Sequence, residues 1–147
     1  MVANGLIQLG LERNERVAVF MPNIPQFIIA LFGIVKAGCI FVPVDACYKG
    51  SEVGHILEDS GATFLITFDE LHHVVESVPT RANVEKVCVT SRSEIEELIK
   101  IGNNPVSKQK PEDASHPTFL DLTRVGNASK PDVKIRSEVD FATIMYT

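Results

Sequence analysis

The chain has no tryptophan, two tyrosines and three cysteines in 147 residues. Cys39, Cys47 and Cys88 are odd in number and form no C-x-x-C pair, so neither a disulfide framework nor a cysteine zinc site is indicated. Three unpaired thiols suit a reducing cytoplasm. A basic half is missing too: the formal charge is −5, from 14 basic and 19 acidic residues, so nucleic acid or an anionic membrane as electrostatic partner is not expected. Nor is there a long apolar run. The most apolar stretch, Phe27 to Val35, is broken by Lys36, whereas a membrane-spanning helix needs about 20 such residues. The opening Met-Val-Ala-Asn-Gly lacks the basic leader and apolar core of an export signal. What remains, 45% hydrophobic and 22% charged, is the composition of an ordinary globular domain.

Apolar side chains are unevenly spread. They make up 37 of the 66 residues in positions 1–66 but 10 of the 39 in positions 102–140, which also hold four of the eight prolines. The expected division is therefore an α/β core over 1–101, a polar, proline-containing surface excursion over 102–140, and a buried strand over 141–147 that returns to the sheet. Within the core, β-rich runs at Val17–Phe20, Ile40–Val44, Phe64–Thr67 and Lys86–Val89 alternate with helical periods. That alternation predicts a mostly parallel sheet with helices on both faces. The best-specified helix has Asn23 as N-cap, Pro25 in its first turn, apolar Phe27, Ile28, Leu31, Ile34 and Val35, and Gly38 as its left-handed stop. A second covers Ser51–Ser60 and stops at Gly61, with Val53, Ile56 and Leu57 as its apolar stripe. A third starts at Asp69 or Glu70 and presents Leu71, Val74, Val75 and Val78. A fourth starts at a capping box, Ser91 with Glu94, and buries Ile95, Leu98 and Ile99.

Few residues suggest chemistry by type and spacing. Gly33-Ile34-Val35-Lys36-Ala37-Gly38 has Walker-like glycine spacing, but Cys39-Ile40 follow where Lys and Ser or Thr are needed, and no G-x-G-x-x-G fingerprint occurs. His72 and His73 are adjacent, so on a helix they diverge by about 100° and cannot clamp one metal. His55 and His116 have no carboxylate or thiol partner at a triad-like spacing. Cys39 and Cys47 flank an expected buried strand and read as small hydrophobes. Asp45, at the end of that strand, either caps the following turn or faces a ligand crevice.

An ordered set of short stretches says more. Val35-Lys36-Ala37-Gly38-Cys39-Ile40-Phe41-Val42-Pro43-Val44-Asp45 resembles a core motif of the AMP-forming adenylating enzymes, which comprise acyl-CoA synthetases, amino-acid adenylation domains and luciferases. Asn4-Gly5-Leu6 with Leu9-Gly10-Leu11, Arg16-Val17-Ala18-Val19 and Met21-Pro22-Asn23 agree with that family in order. So do Tyr48, Glu52 and His55-Ile56-Leu57-Glu58-Asp59-Ser60-Gly61-Ala62. Phe141-Ala142-Thr143-Ile144-Met145-Tyr146-Thr147 resembles the strand leading into the family's Ser/Thr/Gly-rich phosphate loop. The similarity is dense over 3–67 and returns at 141–147.

The resemblance implies a partial subdomain of the large N-terminal domain of an adenylating enzyme. It implies a parent reaction using ATP, magnesium and CoA on a small-molecule carboxylate, with acyl-adenylate and then thioester formed. His55 is common among fatty acyl-CoA ligases and favours a long-chain fatty acid. Asp45-Ala46 in place of Asn-Pro leaves an amino-acid or aryl-acid adenylation domain as the alternative. A non-catalytic interaction module and a flavodoxin-like nucleotide binder are the readings from other classes. Only Tyr146 and Thr147 match the family's cofactor-binding positions; no catalytic or metal-binding residue is matched. The chain alone is expected to be inactive, to bind none of these cofactors tightly, and to self-associate through exposed apolar surface. The expected location is cytoplasmic, with peripheral membrane association as an option.

Overall fold

A computed structural model describes residues 1–78, 83–103, 117–126 and 129–146, without the side chains of 100–103. The expectations for Thr147 and His116 lie outside the described residues. In chain order the elements are α1 (Val2–Gln8), β1 (Arg16–Phe20), α2 (Pro25–Lys36), β2 (Ile40–Val44), α3 (Gly50–Ser60) and β3 (Phe64–Phe68). A 3-10 turn (Asp69–Leu71) then runs into α4 (His72–Glu76), followed by β4 (Lys86–Thr90), α5 (Glu94–Asn103) and α6 (Phe119–Val125). The four strands are all parallel and lie in the order β2-β1-β3-β4.

Alternation along each strand divides the core. Val17 and Val19 of β1 join Phe41, Phe64, Ile66 and Cys88 beneath α1, α2 and α6. Ala18 and Phe20 join Val42, Val44, Leu65 and Val87 beneath α3 and α4. The sheet is thus buried on both faces, which is why its strands read as unbroken apolar runs. Burying an aliphatic or aromatic side chain contributes roughly 1.5–3 kcal/mol, so the sheet faces supply most of the fold's stability.

Local stops are specific. After α2, the Gly38 N–H donates to the Val35 carbonyl and the Cys39 N–H to the Ile34 carbonyl, 3.0 and 3.1 Å. This is a Schellman pair that requires the left-handed backbone of Gly38, φ 78°. It turns the chain straight into β2. The α2 start differs by one residue from expectation: Ile24, with extended backbone, is the N-cap, Pro25 is the first helical residue, and Asn23 is exposed. Proline at the first position lacks an N–H that the helix would leave unpaired anyway. The fourth helix starts at Glu94, whose carboxylate accepts from Thr90 Oγ1 at 2.7 Å. Ile99, expected inside, is 63% exposed.

Two corrections concern the later chain. The stretch 102–140 contains α6, which buries Phe119, Leu120, Leu122 and Thr123. Its start is a capping box: Thr118 Oγ1 accepts from the Asp121 N–H, and Asp121 accepts from the Thr118 N–H. The helix lies so close to α1 that a methyl group on Gly5 would sit 2.0 Å from the Leu122 carbonyl oxygen. The expected buried strand over 141–147 is, over its described residues, a single parallel bridge between Thr143 and Phe41. Phe141 and Met145 are more than 70% exposed, because only one side of this segment has anything to pack against.

Candidate functional site

In an open parallel sheet, ligands bind beyond the carboxyl ends of the strands, where connections depart to opposite faces. Here α2 leaves β1 for one face and α3 leaves β2 for the other. A cavity of ≈ 440 Å³ lies at this point, lined by Met21, Pro22 and Asn23 after β1, by Val44, Asp45, Ala46 and Tyr48 after β2, and by Met145 and Tyr146. The last two arrive because residues 141–146 lie along the outer edge of β2. The Phe41 N–H donates to the Ala142 carbonyl at 2.9 Å, and the Ile144 N–H donates to the Phe41 carbonyl at 3.0 Å.

Asp45 satisfies both sequence alternatives. Its Oδ1 accepts the Cys47 N–H at 2.8 Å, capping the turn, and the residue also borders the cavity. Tyr146 is half-buried, and its hydroxyl donates to Asp59 Oδ2 at 2.7 Å. Partial burial, then the Asp59 acceptor and its negative charge, push this phenol up to about 12, while a hydrogen bond with Ser60 opposes the shift. Tyr48 and Tyr146 are also shared with an adjoining groove that His55 and Glu52 line. The structure thus gathers Asp45, Tyr48, His55 and Tyr146 around one edge of the sheet. Sequence reasoning had singled out Asp45, His55 and Tyr146 separately; nothing local in the sequence links positions 45–59 to 146.

The other candidates lie elsewhere. His72 Nε2 is 3.8 Å from Glu76 Oε1, while His73 is exposed. Cys39 and Cys88 are buried, and burial raises both thiols, Cys39 to about 12. Cys47 corrects its expectation: it is exposed in the turn after β2 rather than packed as a small hydrophobe. Among the described residues no group of three or more His, Cys, Asp or Glu is placed to hold a metal ion. The described lining of the cavity has no lysine or arginine, and its one carboxylate already accepts a backbone N–H. These residues by themselves supply no cationic side chain for a magnesium triphosphate.

A parallel sheet with helices on both faces and its crevice at the β1 and β2 ends, approached by a late segment, places the chain in the doubly wound class of α/β proteins, which take ligands at that crevice. More specifically, residues 1–147 match the family described as AMP-binding enzyme, and the chain belongs to that family. It is 34% identical over 149 aligned residues to the long-chain-fatty-acid–CoA ligase of Yersinia pestis, covering 95% of this chain and 26% of the relative. To the ligase of the same name from Salmonella typhimurium it is 43% identical over 82 residues, 56% of this chain and 15% of the relative. The crystal structure of a long-chain-fatty-acid-CoA ligase from Archaeoglobus fulgidus superposes with a TM-score of 0.77 at 25% identity, covering 99% of this chain and 25% of that one. The chain therefore spans about a quarter or less of the length of these relatives. Its fold is that of part of an adenylating enzyme's N-terminal domain, and no helix among the described residues is long and apolar enough to cross a membrane.

Proposed function

We propose that this chain is one part of an ATP-dependent, AMP-forming carboxylate–CoA ligase acting on long-chain fatty acids. In that reaction the fatty carboxylate attacks the α-phosphorus of ATP, giving acyl-adenylate and pyrophosphate. The CoA thiol then displaces AMP and forms the thioester. The observation that carries the reading is the course of residues 141–146, which run beside β2 and bring Tyr146 to the cavity at the strand ends. Tyr146 and Thr147 would then lead into the phosphate-binding loop, and β1, β2 and α3 would form its floor. Magnesium, ATP and CoA would be held by the complete enzyme, since the described lining has no lysine or arginine to meet a triphosphate. The three free cysteines agree with a cytoplasmic setting, and peripheral membrane association would accompany a lipid substrate.

The outer face of α2 supports the same reading. Ile28 and Phe32 are 52% and 61% exposed, and with Val2, Val133 and Ile135 they border an apolar groove of ≈ 780 Å³. A helix apolar all round belongs inside a larger body. In the complete enzyme the rest of the large domain would cover it; in the isolated chain a second copy would. The test of function is the complete ligase incubated with ATP, CoA and palmitate, with acetate, benzoate and amino acids as competitors. Palmitoyl-CoA and AMP are the expected products, and AMP formation with only an amino acid or aryl acid would replace this reading.

A further inference from the structure

Tyr146 and Asp59 are 87 residues apart in sequence, yet their hydrogen bond, beside a contact of the same hydroxyl with Ser60, links the late segment to α3. The segment is held at three points. Asp140 pairs with Arg13 near its start, the Phe41 backbone holds Ala142 and Ile144 midway, and Asp59 holds the Tyr146 hydroxyl at its end. Ile144 and Tyr146 pack against the core side while Phe141 and Met145 face away, so alternation alone leaves the end of the segment with little to fix it. The carboxylate of Asp59 supplies a directional contact there. It sits on the last turn of α3, whose end is itself fastened: Arg16 donates to the Ser60 and Gly61 carbonyls at 2.9 and 2.8 Å. Asp59 thus transmits the position of a rigid helix to a residue at the mouth of the cavity.

We infer that Asp59 is a positioning residue for the proposed ligase reaction: by accepting the Tyr146 hydroxyl in a hydrogen bond, it fixes where the chain leaves the sheet toward the phosphate-binding loop. The role rests on the function proposed above. Asp59 touches no substrate in this scheme. Its loss would let the loop's first residues drift and would weaken phosphate binding before it altered the pocket for the carboxylate.

The test uses the complete ligase with MgATP and palmitate. Asp59→Ala and Tyr146→Phe should each raise KM for ATP about fivefold, the equivalent of one net hydrogen bond, with KM for palmitate unchanged. The double variant should be no worse than either single one, and Asp59→Asn, which keeps an acceptor oxygen, should restore most of the loss. An unchanged KM for ATP in Asp59→Ala, an equal rise in both KM values, or an Asp59→Asn as impaired as Asp59→Ala would overturn the inference. A parallel measurement is independent of activity. In the 147-residue chain, the Ile144 amide that bonds to Phe41 should exchange with solvent faster in Asp59→Ala but not in Asp59→Asn, and equal rates in all three proteins would also overturn it. An inactive wild-type ligase with this exchange pattern intact would instead refute the proposed function and leave the Asp59 contact standing.

Discussion

Helices α2 and α3 cover opposite faces of one sheet, have twelve and eleven residues, and are both followed by a left-handed glycine, Gly38 and Gly61. Their outward sides differ. α3 exposes Ser51, Glu52, His55, Glu58 and Asp59, so its apolar stripe of Val53, Ile56 and Leu57 is a single seam facing the sheet. α2 buries Ala30 and Ile34 against the sheet and Gly33 against Val2 of α1, and then shows Ile28, Ile29 and Phe32 on the other side. One helix presents a polar outer side, the other an apolar one. Ile34 is fully buried, and Phe27 and Leu31 are half-buried between the two sides.

The largest expected effects lie where the two helices are alike. Ile34→Ala in α2 and Leu57→Ala in α3 remove fully buried side chains from the two sheet faces. Each should cost about 2–5 kcal/mol in urea unfolding, and a loss for only one of them would break the equivalence of the inner sides. Next come the helix stops. Gly38→Ala and Gly61→Ala should each cost roughly 1–2 kcal/mol. Both force a Cβ into left-handed backbone, against Val133 Cγ1 at 2.7 Å in one case and Arg16 Nη2 at 2.6 Å in the other.

The outer sides should respond oppositely. Phe32→Glu should change unfolding stability by no more than about 0.5 kcal/mol while lowering association of the isolated chain in light scattering. Glu58→Leu should raise association by giving α3 an apolar outer patch. Identical scattering from wild type and both variants would erase the distinction.

The smallest effect is a difference in pH response between the two helix ends. Arg16 fastens the end of α3 through carbonyls, which do not titrate. Beside Gly38, Arg13 pairs with the Asp140 carboxylate, which the Arg136 N–H holds below its ordinary range, aided by Arg13. A lowered carboxylate contributes stability that is fully present above its unfolded value and is lost as pH falls through its folded value. Acidification below the usual carboxylate range should therefore shift the Arg13 side-chain NMR signal while leaving that of Arg16 in place; parallel shifts would remove the contrast.

Much of the fold was legible in the sequence because it rests on local signals. The four strands are apolar runs, and α2 and α3 end at glycines whose left-handed backbone stops a helix. α6 was missed although Thr118-Phe119-Leu120-Asp121 carries a capping-box spacing, because the surrounding polarity outweighed seven helical residues. The strand over 141–147 was overread: its apolar alternation is real, but β2 offers it one bridge rather than a ladder. At the site, Asp45 and Tyr146 could be named from the sequence, yet the link from Tyr146 to Asp59 depends on a contact 87 residues apart that no periodicity encodes.

Exchange of labelled pyrophosphate into ATP, measured with palmitate on the isolated 147-residue chain and on the complete ligase proposed to contain it, tests the central claim most directly. The described lining of the cavity has no lysine or arginine to meet a triphosphate, so exchange should appear only in the complete enzyme. Palmitate-dependent exchange by the isolated chain, or none by the complete enzyme, would contradict the account.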